Sequence, residues 1–212
     1  MREGIITVVG SRSDPFNCLG GIRQPFYSED DPGSFYYNEY CGHLYNLGHV
    51  SMDAPFIGLE HYRRTFVQDG RPLGSDTINA ILDHSDIIVK QKHGPYGTYT
   101  NLTVHAACSR HGLNYMAEAR QALAVFPELR KQADDTTHYG CNIFIARPAT
   151  YVNMVSEAKD MLDVLLKICK QRSFLAYFTE TIITPYLIGK YCKDVHIADV
   201  LVSDMPFIYD RQ

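Results

Sequence analysis

A carboxylate, an imidazole and two guanidinium groups follow one another directly after an apolar stretch near residue 60. The segment 56–66 reads FIGLEHYRRTF, in which Glu60 and His61 precede Arg63 and Arg64. A carboxylate oxygen beside an imidazole suits Mn²⁺ or Mg²⁺, and the forked donors of arginine suit phosphate. The same residues are equally compatible with a solvated basic turn whose histidine and tyrosine pack for stability. The pattern leaves both interpretations open.

The elements that must position these groups alternate between strands and helices. Alternation of this kind indicates an α/β fold with a central, mainly parallel (mixed) sheet of about six strands, flanked by helices. Ligands of open α/β sheets bind at the carboxyl ends of the strands, so Glu60 to Arg64 should lie at the binding edge. The pattern predicts strands at 4–10, 55–60, 86–89 and 139–146, and helices at 35–49, from Ser75, at 100–111, at 116–125, from Pro148 and at 173–191 with a break at Pro185.

The segment 13–34 carries the densest turn chemistry of the chain. It is rich in Ser, Asp, Gly and Pro, and a structureless stretch of this length inside a compact domain is usually a binding loop or a lid. We therefore expect it to form a loop that borders the ligand pocket.

Composition and charge limit the classes of function. The chain has 212 residues, of which 45% are hydrophobic, which excludes general disorder, and its net charge of −4 disfavours a nucleic-acid binder. Six cysteines without a C-x-x-C pair argue against a zinc site and a disulfide scaffold. No apolar run reaches the ~20 residues needed to span a bilayer, and no secretory signal is recognisable. These features predict one cytoplasmic domain over 1–212, monomeric, without a membrane span.

The sequence G-L-x-H-Y-R-R at 58–64 resembles the hallmark of small capsular-polysaccharide glycosyltransferases. Three further segments are similar to motifs of this family in their order: E-x-x-G at Glu39 to Gly42, HYGCNIFI at His138 to Ile145, which is similar to H-x-x-N-x-F-I with one more residue between His and Asn, and F-x-E at Phe178 to Glu180. The resemblance covers most of 35–190 and includes the N-terminal domain of a large chlorella virus protein. It implies an excised domain of a longer protein that acts in the host-cell cytoplasm.

The resemblance implies a GT-A type fold, a UDP-sugar donor, a glycan or glycoprotein acceptor and Mn²⁺ or Mg²⁺. The chain has no Asp-x-Asp pair, so Glu60 and His61 are expected to hold the metal, with Arg63 and Arg64 on the donor. Asp76 and Asp86 are alternative metal ligands. The nucleotide is expected to contact the end of the first strand and one helical carboxylate, a set that comprises Val8, Val9, Gly10, Ser11, Arg12 and Glu39.

The acceptor side is less strongly marked. Inverting transfer needs a carboxylate base for the acceptor hydroxyl, and Glu180, Asp135 and Asp204 are the candidates, with Asp134 beside them. His138 and Asn142 fit either a sugar-contacting or a core hydrogen-bonding role.

Two other classes of function remain open. A sugar- or nucleotide-binding module with a degenerate catalytic site would explain the missing Asp-x-Asp pair. A nucleotide-sugar hydrolase of similar α/β build would use the same donor without an acceptor. Serine hydrolases and Rossmann dehydrogenases are excluded, since the sequence contains neither G-x-S-x-G nor G-x-G-x-x-G.

Overall fold

The central feature of the fold is one mixed sheet. The computed structural model describes residues 3–12, 16, 19–30, 40–49, 51–90, 115–134, 142–169 and 172–202, and within them the sheet has eight strands. The strands are β1 (Ile5–Gly10), β2 (Arg23–Tyr27), β3 (Ile57–His61), β4 (Arg64–Gln68), β5 (Arg71–Pro72), β6 (Ile87–Lys90), β7 (Phe144–Ala146) and β8 (Val195–Val202).

Helices connect and cover these strands. The α-helices are α1 (Cys41–His49), α2 (Ser75–Leu82), α3 (Met116–Val125), α4 (Arg130–Asp134), α5 (Pro148–Ile168), α6 (Arg172–Phe178) and α7 (Thr184–Tyr191). A π-helical turn at Thr179–Ile183 joins α6 to α7, and 3-10 turns lie at Ser28–Asp30 and Pro127–Leu129. No helix among the described residues is long and apolar enough to cross a membrane.

The strand order is β2-β1-β3-β7-β6-β8-β4-β5. Six strands (β1, β2, β3, β5, β6 and β8) share one direction, whereas β7 and β4 run against it. β3 also pairs with β4, so β3, β7, β6, β8 and β4 close into a five-strand ring. The expected mixed α/β class is confirmed. The closed ring differs from the expected open sheet, and the described strands number eight rather than about six.

β4 pairs with β3 only briefly, because β3 has little free edge. One edge of β3 pairs with β1, and β7 occupies the other edge from Ile57 to Leu59. Only His61 remains to pair with Arg64, across a turn formed by Tyr62 and Arg63. β4 therefore leaves β3 after one pair and continues along β8, where Phe66 lies opposite Val200.

The two faces of the sheet carry separate cores. On one face, Phe144 and Val89 pack with buried residues of α5 such as Met154 and Leu162. On the other face, a second cluster includes Ile6, Phe66, Ile88 and Ile145. Alternate residues of β6 and β7 thus serve different cores, which explains why β7 and the first three residues of β6 are all apolar rather than alternating.

Several elements differ from the sequence-based expectation. Part of the expected loop at 13–34 is strand β2, whose Pro25 is tolerated because β2 lies at the sheet edge. The helices predicted from Ser75, at 116–125 and from Pro148 are confirmed. The helix predicted at 173–191 is interrupted by the π-helical turn, and Pro185 lies in the first turn of α7. The helix predicted at 100–111 lies outside the described residues.

Candidate functional site

Four strands that run in the same direction end at one edge of the sheet. Gly10, Tyr27, His61 and Lys90 are the last residues of β1, β2, β3 and β6. The antiparallel strand β7 begins at this edge, shortly after Asn142, because Phe144 pairs with both Leu59 and Val89. The edge therefore gathers the sequence-predicted segments around residues 8–12, 60–64 and 142.

The turn after β3 is held against the end of β1. His61 lies opposite Val9, and the backbone N–H of Tyr62 donates to the Val9 carbonyl at 2.8 Å. A Cβ atom at Gly10 would lie 3.0 Å from atoms of both Phe16 and Tyr62. A glycine at this position thus lets two aromatic side chains close over the strand end.

Three aromatic rings, Phe16, Tyr27 and Tyr62, form what we call the aromatic platform. The Phe16 ring meets Tyr27 and Tyr62 edge-on, with centroid distances of 5.9 and 6.4 Å. Arg12 lies over the Tyr27 ring at 4.7 Å and Arg63 over the Tyr62 ring at 5.0 Å. Aromatic faces attract planar cations and bases, and guanidinium groups bind phosphate. The platform therefore combines the two chemistries that a nucleotide requires.

Arg12 is also tied to the 3-10 turn that follows β2. One of its terminal nitrogens contacts both carboxylate oxygens of Asp30 at 2.8 Å, and its backbone N–H donates to Glu29. The Arg12 side chain is nevertheless 64% exposed, so this pairing is open to solvent. Val8 and Val9, by contrast, are buried core side chains and offer only their backbone to a ligand.

Glu60 is fully buried in an ion pair that the sequence did not reveal. Its two oxygens accept hydrogen bonds from Nε and Nη2 of Arg23, at 2.8 and 2.9 Å. One of these oxygens also accepts the backbone N–H of Phe66 at 3.0 Å. Burial raises the pKa of the Glu60 carboxyl, and the hydrogen bonds from Arg23 oppose that rise. Both oxygens are engaged within the protein.

The expected pair of metal ligands does not fit this arrangement. Glu60 would have to release Arg23 before it could bind a cation, which would leave a guanidinium buried without its carboxylate. His61 is 5% exposed, and its Nδ1 accepts the backbone N–H of Arg63 at 3.3 Å. The described part of the chain contains no group of three His, Cys, Asp or Glu side chains suited to a metal ion.

Asn142 has a left-handed backbone and internal hydrogen bonds. Its φ is +47°, a conformation that asparagine tolerates better than most residues. Its side-chain oxygen accepts the Thr184 hydroxyl at 2.9 Å, and its carbonyl lies 2.6 Å from Nε2 of His43. Of its two predicted roles, these contacts fit core hydrogen bonding.

A buried polar network underlies Asn142, and sequence reasoning missed it. Because the carbonyl of Asn142 accepts only, Nε2 of His43 carries the proton, and Nδ1 accepts the Tyr151 hydroxyl at 2.6 Å. Asn46 donates to the Tyr151 oxygen at 2.9 Å and to the Gly58 carbonyl at 3.1 Å, and accepts the hydroxyl of Thr7. The available signal was the three-residue spacing of His43 and Asn46 on one helix face.

Glu180 lies in the π-helical turn Thr179–Ile183 and is half-buried. This turn directly precedes Thr184, the residue that contacts Asn142, and π-helical turns frequently mark functional sites. Asp134 is exposed at the end of α4. The remaining candidates, which are Asp135, Asp204, Glu39 and His138, lie outside the described residues.

Asp86 and Asp76, the two alternative metal ligands, have structural roles elsewhere in the fold. Asp86 accepts the backbone N–H groups of Lys193 and Asp194, at 2.7 and 3.1 Å, and so connects the starts of β6 and β8. Asp76 lies in the first turn of α2, where its negative charge interacts favourably with the helix dipole. Asp86 precedes the start of β6 and Asp76 lies on α2, so neither lies at the carboxyl edge.

Two glycines of the family-like motifs allow close packing. A Cβ atom at Gly42 would overlap Cγ2 of Val9 and lie 2.5 Å from Cδ1 of Leu59, so α1 approaches the sheet only because this position is glycine. A Cβ atom at Gly58 would lie 2.7 Å from Cγ1 of Ile145. These positions therefore shape the scaffold rather than contact a ligand.

No protein-family model matches the chain, and no curated protein matches it significantly. Among solved structures, the chain matches the apo structure of WbbM, a bifunctional glycosyltransferase, with a TM-score of 0.73 and 15% sequence identity. The fold is similar to that of a glycosyltransferase. The match covers 96% of this chain but 46% of the WbbM chain, so the chain spans less than half the length of that protein.

Proposed function

We propose that the chain is a glycosyltransferase that transfers a hexose from a UDP-sugar to a glycan acceptor. The observation that carries this proposal is the aromatic platform, with an arginine over each of two of its rings, at the carboxyl edge of the sheet. The likeness to a glycosyltransferase fold supports it, because ligands of such sheets bind at this edge. The family-like motif at 58–64 spans the end of β3 and the turn at this edge.

In this proposal the two chemistries of the platform have separate roles. The uracil base lies against Tyr27 or Tyr62, since stacking on an aromatic ring contributes about 1–3 kcal/mol per base. The backbone from Val8 to Arg12, at the end of β1, contacts the nucleotide. Arg63 and Arg64 bind the diphosphate, and their fixed charge stabilises the negative charge that develops on the leaving UDP.

In this assignment the two arginines supply the positive charge that a divalent cation would otherwise supply. The resemblance implied Mn²⁺ or Mg²⁺, which would act as a Lewis acid on the diphosphate. Because Glu60 is engaged by Arg23, our proposal gives this charge to the arginines. Calorimetry with UDP should therefore yield similar affinities in Mn²⁺ and in EDTA. A loss of binding in EDTA would contradict this assignment and require other metal ligands.

We propose Glu180 as the base that accepts the proton of the acceptor hydroxyl, with Asp135 and Asp204 as alternatives. Positioned proton transfer contributes about 10²–10⁴-fold to a rate. Glu180→Gln should lower kcat within this range and leave UDP affinity unchanged. Unchanged kcat would transfer the role to Asp135 or Asp204, which the corresponding Asn variants would test.

The decisive experiment is calorimetry with UDP, GDP and CMP, followed by product analysis with labelled UDP-sugar. We expect UDP to bind more tightly than the other two, and label to appear in a glycan product. Label released as free sugar with and without acceptor would instead identify a nucleotide-sugar hydrolase. Binding without turnover would identify a degenerate binding module, whereas equal binding of all three nucleotides would contradict the proposed donor.

A further inference from the structure

Arg23 connects the edge strand β2 with the turn after β3. Its side chain is 4% exposed and crosses β1 on the face of Ile6 and Val8, because Arg23 lies opposite Ile6 and Glu60 lies opposite Val8. All three guanidinium nitrogens are used. Nε and Nη2 bind Glu60, and Nη1 donates to the Leu73 carbonyl at 2.9 Å.

The Glu60 carboxylate in turn accepts a backbone hydrogen bond that a neighbouring strand would otherwise accept. Since β4 leaves β3 after one residue pair, the N–H of Phe66 has no acceptor on the β3 backbone, and it donates to Glu60 instead. The ion pair thus fixes both ends of the segment from Glu60 to Phe66. Between these ends lie His61, Tyr62 and Arg63, the side chains of the candidate site.

We propose that Arg23 is a positioning residue that holds Glu60 and thereby fixes the 61–64 turn against the end of β1. The proposal that this turn binds the donor rests on the function proposed above. Arg23 does not itself reach the edge, because it lies at the first position of β2 and Tyr27 at the last. Its effect on a ligand is exerted through the orientation of Tyr62 and Arg63.

The test compares two arginines that make several hydrogen bonds each. Lysine cannot reproduce the bidentate contact, so Arg23→Lys should weaken UDP binding at least tenfold and accelerate amide hydrogen exchange in peptides that span 61–66. The matched control is Arg147→Lys. Arg147 binds the Pro55 carbonyl, Asn79 and Asp83 at the opposite end of β3, and its substitution should change neither measurement.

Each outcome is decisive. Unchanged exchange at 61–66 in Arg23→Lys would overturn the proposal, as would an equal loss of UDP affinity in Arg147→Lys. If the wild-type chain binds no UDP but exchange still rises only at 61–66, the proposed donor is wrong and the positioning role stands. If Arg23→Lys does not fold, the wild-type chain supplies the test: slow exchange of the Phe66 amide is expected, and fast exchange would overturn the proposal.

Discussion

The imidazole ring of His43 lies nearly parallel to the ring of Phe144, with a centroid distance of 4.3 Å and an angle of 18°. His43 is fully buried, and both its nitrogens are used, one as donor to Asn142 and one as acceptor from Tyr151. A ring that donates from one nitrogen and accepts at the other is neutral. Burial lowers the pKa of His43 to about 3.

The buried neutral His43 predicts a loss of stability in acid. An unfolded histidine, with a pKa of about 6.5, binds a proton that the folded chain excludes until the pH approaches 3. The free energy of unfolding should therefore fall as pH decreases below about 6.5, by up to about 1.4 kcal/mol per pH unit from this residue. Urea unfolding at pH 7.5 and 5 measures the change. His43→Gln should flatten the slope, and exposed His49→Gln should not; identical slopes in all three chains would contradict the prediction.

The two glycines of α1 should respond oppositely to alanine. Gly42→Ala would force a methyl group into Val9 and Leu59 and should destabilise the chain by about 1–3 kcal/mol. Gly48 has no atom within 4 Å of a Cβ position, so Gly48→Ala should be neutral or stabilise by about 0.5–1 kcal/mol through helix propensity. Thermal unfolding distinguishes the two. Equal effects would indicate that α1 does not approach the sheet as described.

Glu60→Gln should act on stability rather than on metal binding. The change leaves the Arg23 guanidinium buried without its counter-charge and should cost about 3–5 kcal/mol of unfolding free energy. Asp163→Asn, which breaks the exposed pair with Lys159, should cost less than about 1 kcal/mol. A small loss of stability with a large loss of Mn²⁺-dependent UDP binding would restore the metal-ligand interpretation of Glu60.

Arg63→Ala should discriminate between nucleotide and nucleoside. If its guanidinium binds the diphosphate, UDP affinity falls about tenfold or more, since hydrogen bonds to charged groups contribute about 1.5–3 kcal/mol. Uridine affinity should change much less. Calorimetry with both ligands checks this, with the exposed Arg71→Ala as control. A parallel loss for UDP and uridine would assign Arg63 to the base or to the orientation of Tyr62.

The sequence predicted those elements whose burial is complete. The apolar runs of β1, β3 and β6 and the long pattern of α5 are visible because both faces of these strands, or one face of the helix, lie in a core. β2 was missed because an edge strand tolerates proline and polar residues. β8 was missed because Ile197 and Leu201 are exposed apolar residues, so its pattern does not alternate with burial.

The sequence predicted that residues 60–64 lie at the carboxyl edge of the sheet, where the structure has them, but it did not predict their contacts. The carboxyl edge followed from strand direction, a property that sequence can indicate. The partner of Glu60 did not follow, since Arg23 lies 37 positions away on an unpredicted strand. The network of His43 and Tyr151 was hidden for the same reason, because 108 positions separate the two residues.

The position of β8 has a consequence for biosynthesis. Phe66 lies opposite Val200, and Ile88 lies opposite His196, so the strand that joins β4 to β6 is made long after both. During translation the ring cannot close until the segment 195–202 has left the ribosome. Pairing between such distant segments slows folding and exposes strand edges to aggregation in the interval. Nascent chains arrested before residue 195 should therefore be substrates for chaperones, whereas chains whose segment 195–202 has left the ribosome should become resistant to protease.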